Sequence, residues 1–192
     1  MTLLVLSPVY IERRSYLAQN ALSINEGRQA LAADDDLTAL IDKLKQLPPG
    51  GTYAGKKRGY VLDNWSDDYR VGNLRVDNLL QAAGIDMVEK IYHSYSLNSD
   101  VLINFDEQRY DHYNLYNARY VVAPEGRIFP EIVQPLQQFG RHRLYQVDTT
   151  GYFDLGDSDL AFEGTGTELY LAASVWLGSR LPGAKQHPLV SI

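Results

Sequence analysis

Apolar positions along the chain follow two regular patterns, separated by polar stretches. The first pattern is helical. Tyr10, Leu17, Ile24 and Leu31 recur at seven-residue steps, with Ala21 and Ala30 near the same face and Glu12, Arg13, Arg14, Gln19, Asn20, Glu26 and Arg28 around the rest. This spacing predicts a long helix over 8–33 with a narrow apolar stripe, Pro8 standing in its first turn. Leu37, Leu40, Ile41, Leu44 and Leu47 sit at i, i+3, i+4, i+7 and i+10 and predict a second helix over 37–47. Asp34-Asp35-Asp36 offers it N-caps, and Pro48-Pro49-Gly50-Gly51 stops it. Further helices are expected over 74–83, closed by Gly84, over 110–116, and over 130–139, closed by Gly140. A short one runs through Val101, Leu102 and Phe105 after Asn98 or Ser99. The last, over 167–181, follows Thr165 and Glu168 at capping-box spacing.

The second pattern is that of strands. Tyr120-Val121-Val122 is the purest β-forming core, and Pro124 marks its end because proline cannot donate to a ladder. Asn114 and Asn117 before it suit a turn. Residues 119–123 are therefore read as the central strand. Shorter strands are expected at 52–54 and 86–92. Residues 141–147 alternate as a strand should, and 152–155 are expected to pair back on them across Thr149-Thr150-Gly151. The fold class implied is α+β: a mixed sheet centred on 119–123 with flanking helices and an N-terminal helical extension. Residues 1–51 form that extension and 52–192 the α+β domain.

The apolar start, Thr2-Leu3-Leu4-Val5-Leu6, is far too short to span a bilayer, which needs about 20 residues. Without basic residues before it or a small-residue cleavage site after it, it is a poor signal peptide. It reads as a buried strand, a helix start, or the end of a transmembrane helix at 2–9.

Composition narrows the function classes. The 192 residues suffice for a real core, and 45% apolar with 22% charged residues is ordinary for a globular protein. Net charge is -6 and no basic run exceeds Lys56-Lys57-Arg58, so no nucleic-acid partner is expected. The absence of cysteine excludes disulfides, thiolate metal sites and a cysteine nucleophile. His93, His112, His142 and His187 fall in no zinc-binding spacing, so neither metal nor cofactor is expected. No nucleophile elbow or P-loop occurs, and Gly164-Thr165-Gly166 lacks the third glycine of a dinucleotide fingerprint.

Fourteen tyrosines are the unusual feature, more than half of them between Tyr60 and Tyr120. A ring with an apolar face and a polar tip suits half-buried surfaces and sugar or peptide contacts alike. Trp65, Tyr69, Tyr92 and Tyr95 supply ring faces, and Asp67, Asp68, Asn98 and Asp106 supply acceptors, with His93 beside them. Together they form a candidate glycan cleft, provided that the 55–70 loop and the 93–109 segment lie at one end of the sheet. The competing reading of the second segment is a strand end running into an N-cap. Asp106-Glu107 with Asp111-His112 offers carboxylates near an imidazole, as a general acid–base pair requires. The alternative there is a solvated helix junction.

Several blocks carry a family resemblance: Pro8-Val-Tyr-Ile-Glu-Arg13, Leu47-Pro-Pro-Gly50, Tyr92-His-Ser-Tyr-Ser-Leu-Asn98, Tyr116-Asn-Ala-Arg-Tyr-Val-Val-Ala-Pro124, Gly140-Arg-His-Arg-Leu-Tyr145 and Gly151-Tyr-Phe153. In this order they resemble the soluble region after the last transmembrane helix of large bacterial membrane proteins similar to the multi-spanning GT-C glycosyltransferases. Some of those are catalogued as related to pyruvoyl-tetrahydropterin synthase. The resemblance implies an extracytoplasmic domain at the cell membrane, joined to the transmembrane part of its own parent chain. It also implies a domain that is non-catalytic by itself and binds or positions a glycan or lipid-linked sugar. In GT-C enzymes the catalytic acid sits on a loop between transmembrane helices, which this chain lacks, so no catalytic residue carries over. The pterin-synthase label implies zinc-binding histidines, and this sequence departs from that pattern. Arg13-Arg14 after an apolar end votes the other way on topology, for the cytoplasm. Two readings from other classes stand beside this one: a freestanding acid–base enzyme using Asp106, Asp111 and His112, and a structural or interaction domain without a small ligand.

Overall fold

Tyr120, Val121 and Val122 form the middle of the central sheet. The computed structural model describes residues 2–55, 65–88, 102–153, 155–156 and 159–191. In chain order the described elements are α1 (Thr2–Ala32), α2 (Asp35–Gln46), β1 (Gly51–Tyr53), β2 (Arg70–Val71), β3 (Leu74–Arg75), α3 (Val76–Ala82), α4 (Tyr110–Leu115), β4 (Ala118–Pro124), β5 (Gln134–Phe139), β6 (His142–Gln146), β7 (Ala161–Glu163), α5 (Gly166–Gly178) and β8 (Leu189–Ser191). Single 3-10 turns occupy Trp65–Asp67 and Leu102–Asn104.

The main sheet has the order β1-β4-β6-β5, with β1 parallel to β4 and the other two pairs antiparallel. It is a mixed sheet flanked by helices, and the fold is α+β as the sequence implies. Side chains alternate across β4 with the two-residue period of a strand. Tyr120 and Val122 join Leu144 on one face, where α2 and α3 pack. Val121 and Ala123 join Tyr53, Tyr145 and Val147 on the other, against Phe105, Tyr113 and Val133. Both faces are covered, which is why β4 reads as an unbroken apolar run and not as an alternating one.

Two expectations about the sheet are corrected. The helix expected over 130–139 is instead strand β5, which forms a hairpin with β6 around Gly140, at φ +50°. Pro135 is tolerated because β5 is an edge strand with a register shift between Pro135 and Gln137. The segment 152–155 is therefore not the partner of 141–147. Phe153 and Leu155 stand 93% and 91% exposed.

The N-terminal region divides by packing. Asp34 caps α2 by accepting from the Leu37 amide at 2.9 Å, and Leu37, Leu40, Ile41 and Leu44 are buried in the main core. So α2, placed by sequence in the extension, packs as part of the sheet's core. Among its described side chains, helix α1 touches the body through its last turns. Leu74 lies so close to Gly27 that a Cβ there would come within 2.2 Å of it, and Asn73 donates to Glu26. Further out, Tyr10, Leu17 and Ile24 are all exposed. Pro8 lies inside α1, which extends back through 2–9, and not in its first turn. Among the described residues no helix is long and apolar enough to cross a membrane.

Helix α3 begins two residues later than the periodicity suggests because Leu74 and Arg75 pair with Arg70 and Val71 in a small hairpin. It ends before Gly84 (φ +82°), as expected. Of the strand expected at 86–92, the described part makes one parallel bridge, Thr52 to Met87; residues 89–92 lie outside the described residues. Helix α5 opens as expected, with the Glu168 carboxylate accepting from the Thr165 amide at 2.8 Å.

Candidate functional site

The proposed acid–base group meets around α4, but its hydrogen bonds go elsewhere. His112 is 1% exposed. Its Nδ1 accepts from the Asp106 backbone N–H at 2.8 Å, which leaves the proton on Nε2 to donate to the Leu177 carbonyl at 3.0 Å. Burial pushes its pKa below the usual value, with the Leu177 bond pulling partly back. The Asp106 carboxylate accepts from the Gln108 amide at 2.9 Å. Asp111 is held by Arg109, through Nε at 3.0 Å and through Nη2. Burial works to raise the pKa of Asp111, and the Arg109 bonds outweigh it, so the carboxyl lies below its ordinary range. Arg109 also donates to the carbonyls of Leu177 and Ser179. Arg109 and His112 thus satisfy carbonyls left open at the C-terminus of α5, the negative end of its dipole. The arrangement docks a helix and contains no carboxylate–imidazole pair.

The described ends of the two loops expected to share a cleft meet at Glu107, which the sequence offered only as a neighbour of the acid–base group. Glu107 Oε1 accepts from the Trp65 indole at 2.9 Å and from the Tyr53 hydroxyl at 2.8 Å, while Oε2 accepts from Arg127 at 2.7 Å. The Arg127 guanidinium lies over the rings of Trp65 and Phe129, 5.7 and 5.6 Å from their centroids. Asp67 pairs with Arg75 at 2.7 Å, and Asp68 is exposed. Tyr69 is not a surface ring: it is buried, with its hydroxyl 2.6 Å from His142 Nδ1. His142 Nε2 in turn faces the Asp34 carboxylate at 3.2 Å. Tyr92, His93, Tyr95 and Asn98 lie outside the described residues.

A third place has the form of a binding site. A cavity of about 290 Å³ opens between α4, the turn after β6, and the loop after α5. Its walls include Tyr110, Asp111, Asn114, Tyr152, Lys185 and His187. A wider trough of about 580 Å³ shares Tyr110, Asp111 and Gly183 with it and adds Arg109 and Arg180. Both tyrosines are pinned at the tip, Tyr110 by donating to the Asp148 carbonyl at 2.7 Å and Tyr152 by donating to the Asp86 carboxylate. Burial and the Asp86 carboxylate together push the Tyr152 pKa up to about 12. Asn114 accepts from the Thr150 amide at 2.7 Å, tying α4 to the turn. Of the described residues that the sequence offered as site candidates, only Asp111 lines this cleft. Tyr110 and Asn114, four apart on one helix, were its readable signal.

Among the described residues no group of three or more histidines and carboxylates is placed to hold a metal ion. Comparison with protein-family models, curated proteins and solved structures gives no match.

Proposed function

We propose that this chain is a non-catalytic domain that binds or positions a glycan or lipid-linked sugar, and that the saccharide seats in the cleft between Tyr110 and Tyr152. The observation that carries the reading is a pair of anchored tyrosines: both line a cavity of about 290 Å³, and each has its hydroxyl bonded to a neighbouring group, Tyr110 to the Asp148 carbonyl and Tyr152 to the Asp86 carboxylate. Sugars are held by C–H faces against aromatic rings and by hydroxyls bonded to carboxylates and amides, which Asp111 and Asn114 supply. A few polar groups in a preformed pocket suffice to fix orientation.

The wider setting rests on the resemblance: an extracytoplasmic position and a glycosyltransferase-like parent. In that setting the exposed Val9, Tyr10, Tyr16, Leu17 and Ile24 of α1 would meet the transmembrane part of the same parent chain. The bonds that occupy His112 and Asp111 favour binding over acid–base catalysis.

The test is a titration of the whole chain with a saccharide panel, followed by amide NMR shifts. Shifts should cluster on Tyr110, Asn114, Tyr152 and residues 182–187. Tyr152→Ala should weaken binding at least about tenfold, the loss of one ring contact, without changing the unfolding midpoint. A panel without response, or shifts confined to other surfaces, would overturn the reading.

A further inference from the structure

The cleft between Tyr110 and Tyr152 continues into the trough beside the end of α5. The two spaces share Tyr110, Asp111 and Gly183, so they run along one seam, with the start of α4 as one wall and the loop after α5 as the other. The walls touch at their common part: a Cβ on Gly183 would stand 3.4 Å from an Asp111 carboxylate oxygen, in ordinary contact. From there the cleft runs to Thr150 and Tyr152, and the trough to Gly178 and Arg180. The result is a groove with two compartments, one on either side of the Asp111–Gly183 contact.

Size separates the compartments. The cleft, at about 290 Å³, lies at the lower limit of the roughly 300–1,000 Å³ usual for small-molecule sites, and the trough, at about 580 Å³, lies inside that range. A single sugar ring seated against the two tyrosines would leave the larger compartment to water. The trough also has the groups a sugar needs. Arg180 brings a guanidinium rich in N–H donors, suited to ring hydroxyls. Asp111 lines both compartments, and a carboxylate has about four acceptor sites, more than the contacts with Arg109 take. The wall on the α5 side is braced: the Ser179 hydroxyl donates to the Trp176 carbonyl at 2.6 Å and accepts from the Leu181 amide at 3.1 Å. A preformed wall lowers the entropy lost on binding. At Gly178 a Cβ would meet no neighbouring atom within 4 Å, so the trough is open beside the last turn of α5.

We infer that the saccharide is a chain of at least two sugar units laid across Asp111 and Gly183, one unit between Tyr110 and Tyr152 and the next in the trough against Arg180. This inference rests on the reading of the cleft as a saccharide site. It sets the class of saccharide as an oligosaccharide or the chain of a glycan, not a lone sugar.

The experiment is an NMR titration of the whole chain with monosaccharides and their own disaccharides: glucose with maltose and cellobiose, mannose with mannobiose, and N-acetylglucosamine with chitobiose. At least one disaccharide should bind about tenfold more tightly than its monosaccharide, as one or two added hydrogen bonds allow. Its amide shifts should extend from residues 150–152 to 178–180, whereas those of the monosaccharide should stop at the cleft. Gly178→Leu fills the trough and should bring the disaccharide down to the affinity of its monosaccharide. Arg180→Ala removes the donors there and should shrink the margin several-fold. Both residues are exposed and line the trough but not the cleft, so monosaccharide binding should persist, and an amide spectrum unchanged elsewhere will show that each variant folds. Equal affinity for every disaccharide and its monosaccharide, or a margin that survives both variants, overturns the inference and leaves the saccharide site standing. Silence from every sugar overturns the site and the inference together.

Discussion

Tyr69, His142 and the half-buried Asp34 form a chain in which each group depends on the next. Asp34 caps α2 and faces His142, and Arg141 adds a weaker contact to the same carboxylate at 3.4 Å. Because Nε2–H donates to Asp34, Nδ1 is free to accept from the Tyr69 hydroxyl, so the arrangement holds a neutral imidazole. Burial pushes the His142 pKa down, and Asp34 restores only part of it. His112 is shifted the same way. With the folded pKa below the unfolded value of 6.5, the unfolded chain binds more protons just below that pH, so stability falls as pH drops through and beneath it. The thermal unfolding midpoint should thus fall as pH drops below about 7, and ring resonances of both histidines should stay neutral below the usual midpoint. A flat profile over that range would refute this. Tyr69→Phe leaves Nδ1 buried without a donor and should cost about 1–3 kcal/mol in denaturant unfolding. Glu107→Gln should cost a similar ~1–3 kcal/mol, because it removes the charge that Arg127 pairs with and weakens the bonds from Trp65 and Tyr53.

At the scale of elements, the two N-terminal helices behave differently because one contributes to the core and the other does not. Removing residues 2–25 deletes helix whose described side chains, from residue 8 on, are exposed, and should leave a cooperatively unfolding domain within about 1 kcal/mol of the full chain, measured by urea denaturation. Leu40→Ala in α2 should cost about 2–5 kcal/mol, since it opens a cavity in the main cluster. Where the sequence was readable, local pattern and tertiary packing agreed. The i, i+3, i+4 spacing of α2, its Asp34 cap, the Thr165 and Glu168 box of α5 and the run at 120–122 all became what they suggested. Where it misled, packing decided. Gln134-Pro135-Leu136-Gln137-Gln138-Phe139 has no strand alternation, and becomes a strand because it is an edge laid on β6 by the tight turn at Gly140. The β7–β8 pair joins residues whose registration depends on contacts more than twenty positions apart, which no window along the chain reveals.

The cleft belongs to the whole molecule, and this is why most of it was hidden in the sequence. Its walls come from α4, from the turn at 150–152 and from the loop at 182–187, brought together by packing of the second sheet face and by α5. Trp65 and Glu107 were closer to legible, since both lie in segments dense with polar and aromatic residues. The bond that joins them, however, is a tertiary contact. The cleft's geometry depends on the docking of α5, which Arg109 and His112 secure at Leu177 and Ser179. Arg109→Ala removes bonds to both carbonyls and leaves Asp111 without its cation, so it should lower stability by about 1–3 kcal/mol and loosen residues 176–186 first. Hydrogen exchange should show that loosening as a rise confined to the end of α5 and its loop, with β4 and β6 still protected. Saccharide binding should fall with it although Arg109 need not touch the sugar. Tyr152→Ala should have the opposite profile, weakened binding with exchange in 176–186 unchanged. If Arg109→Ala left exchange there unaltered, the loop would be held by its own braces, and the cleft would not depend on α4 for its shape.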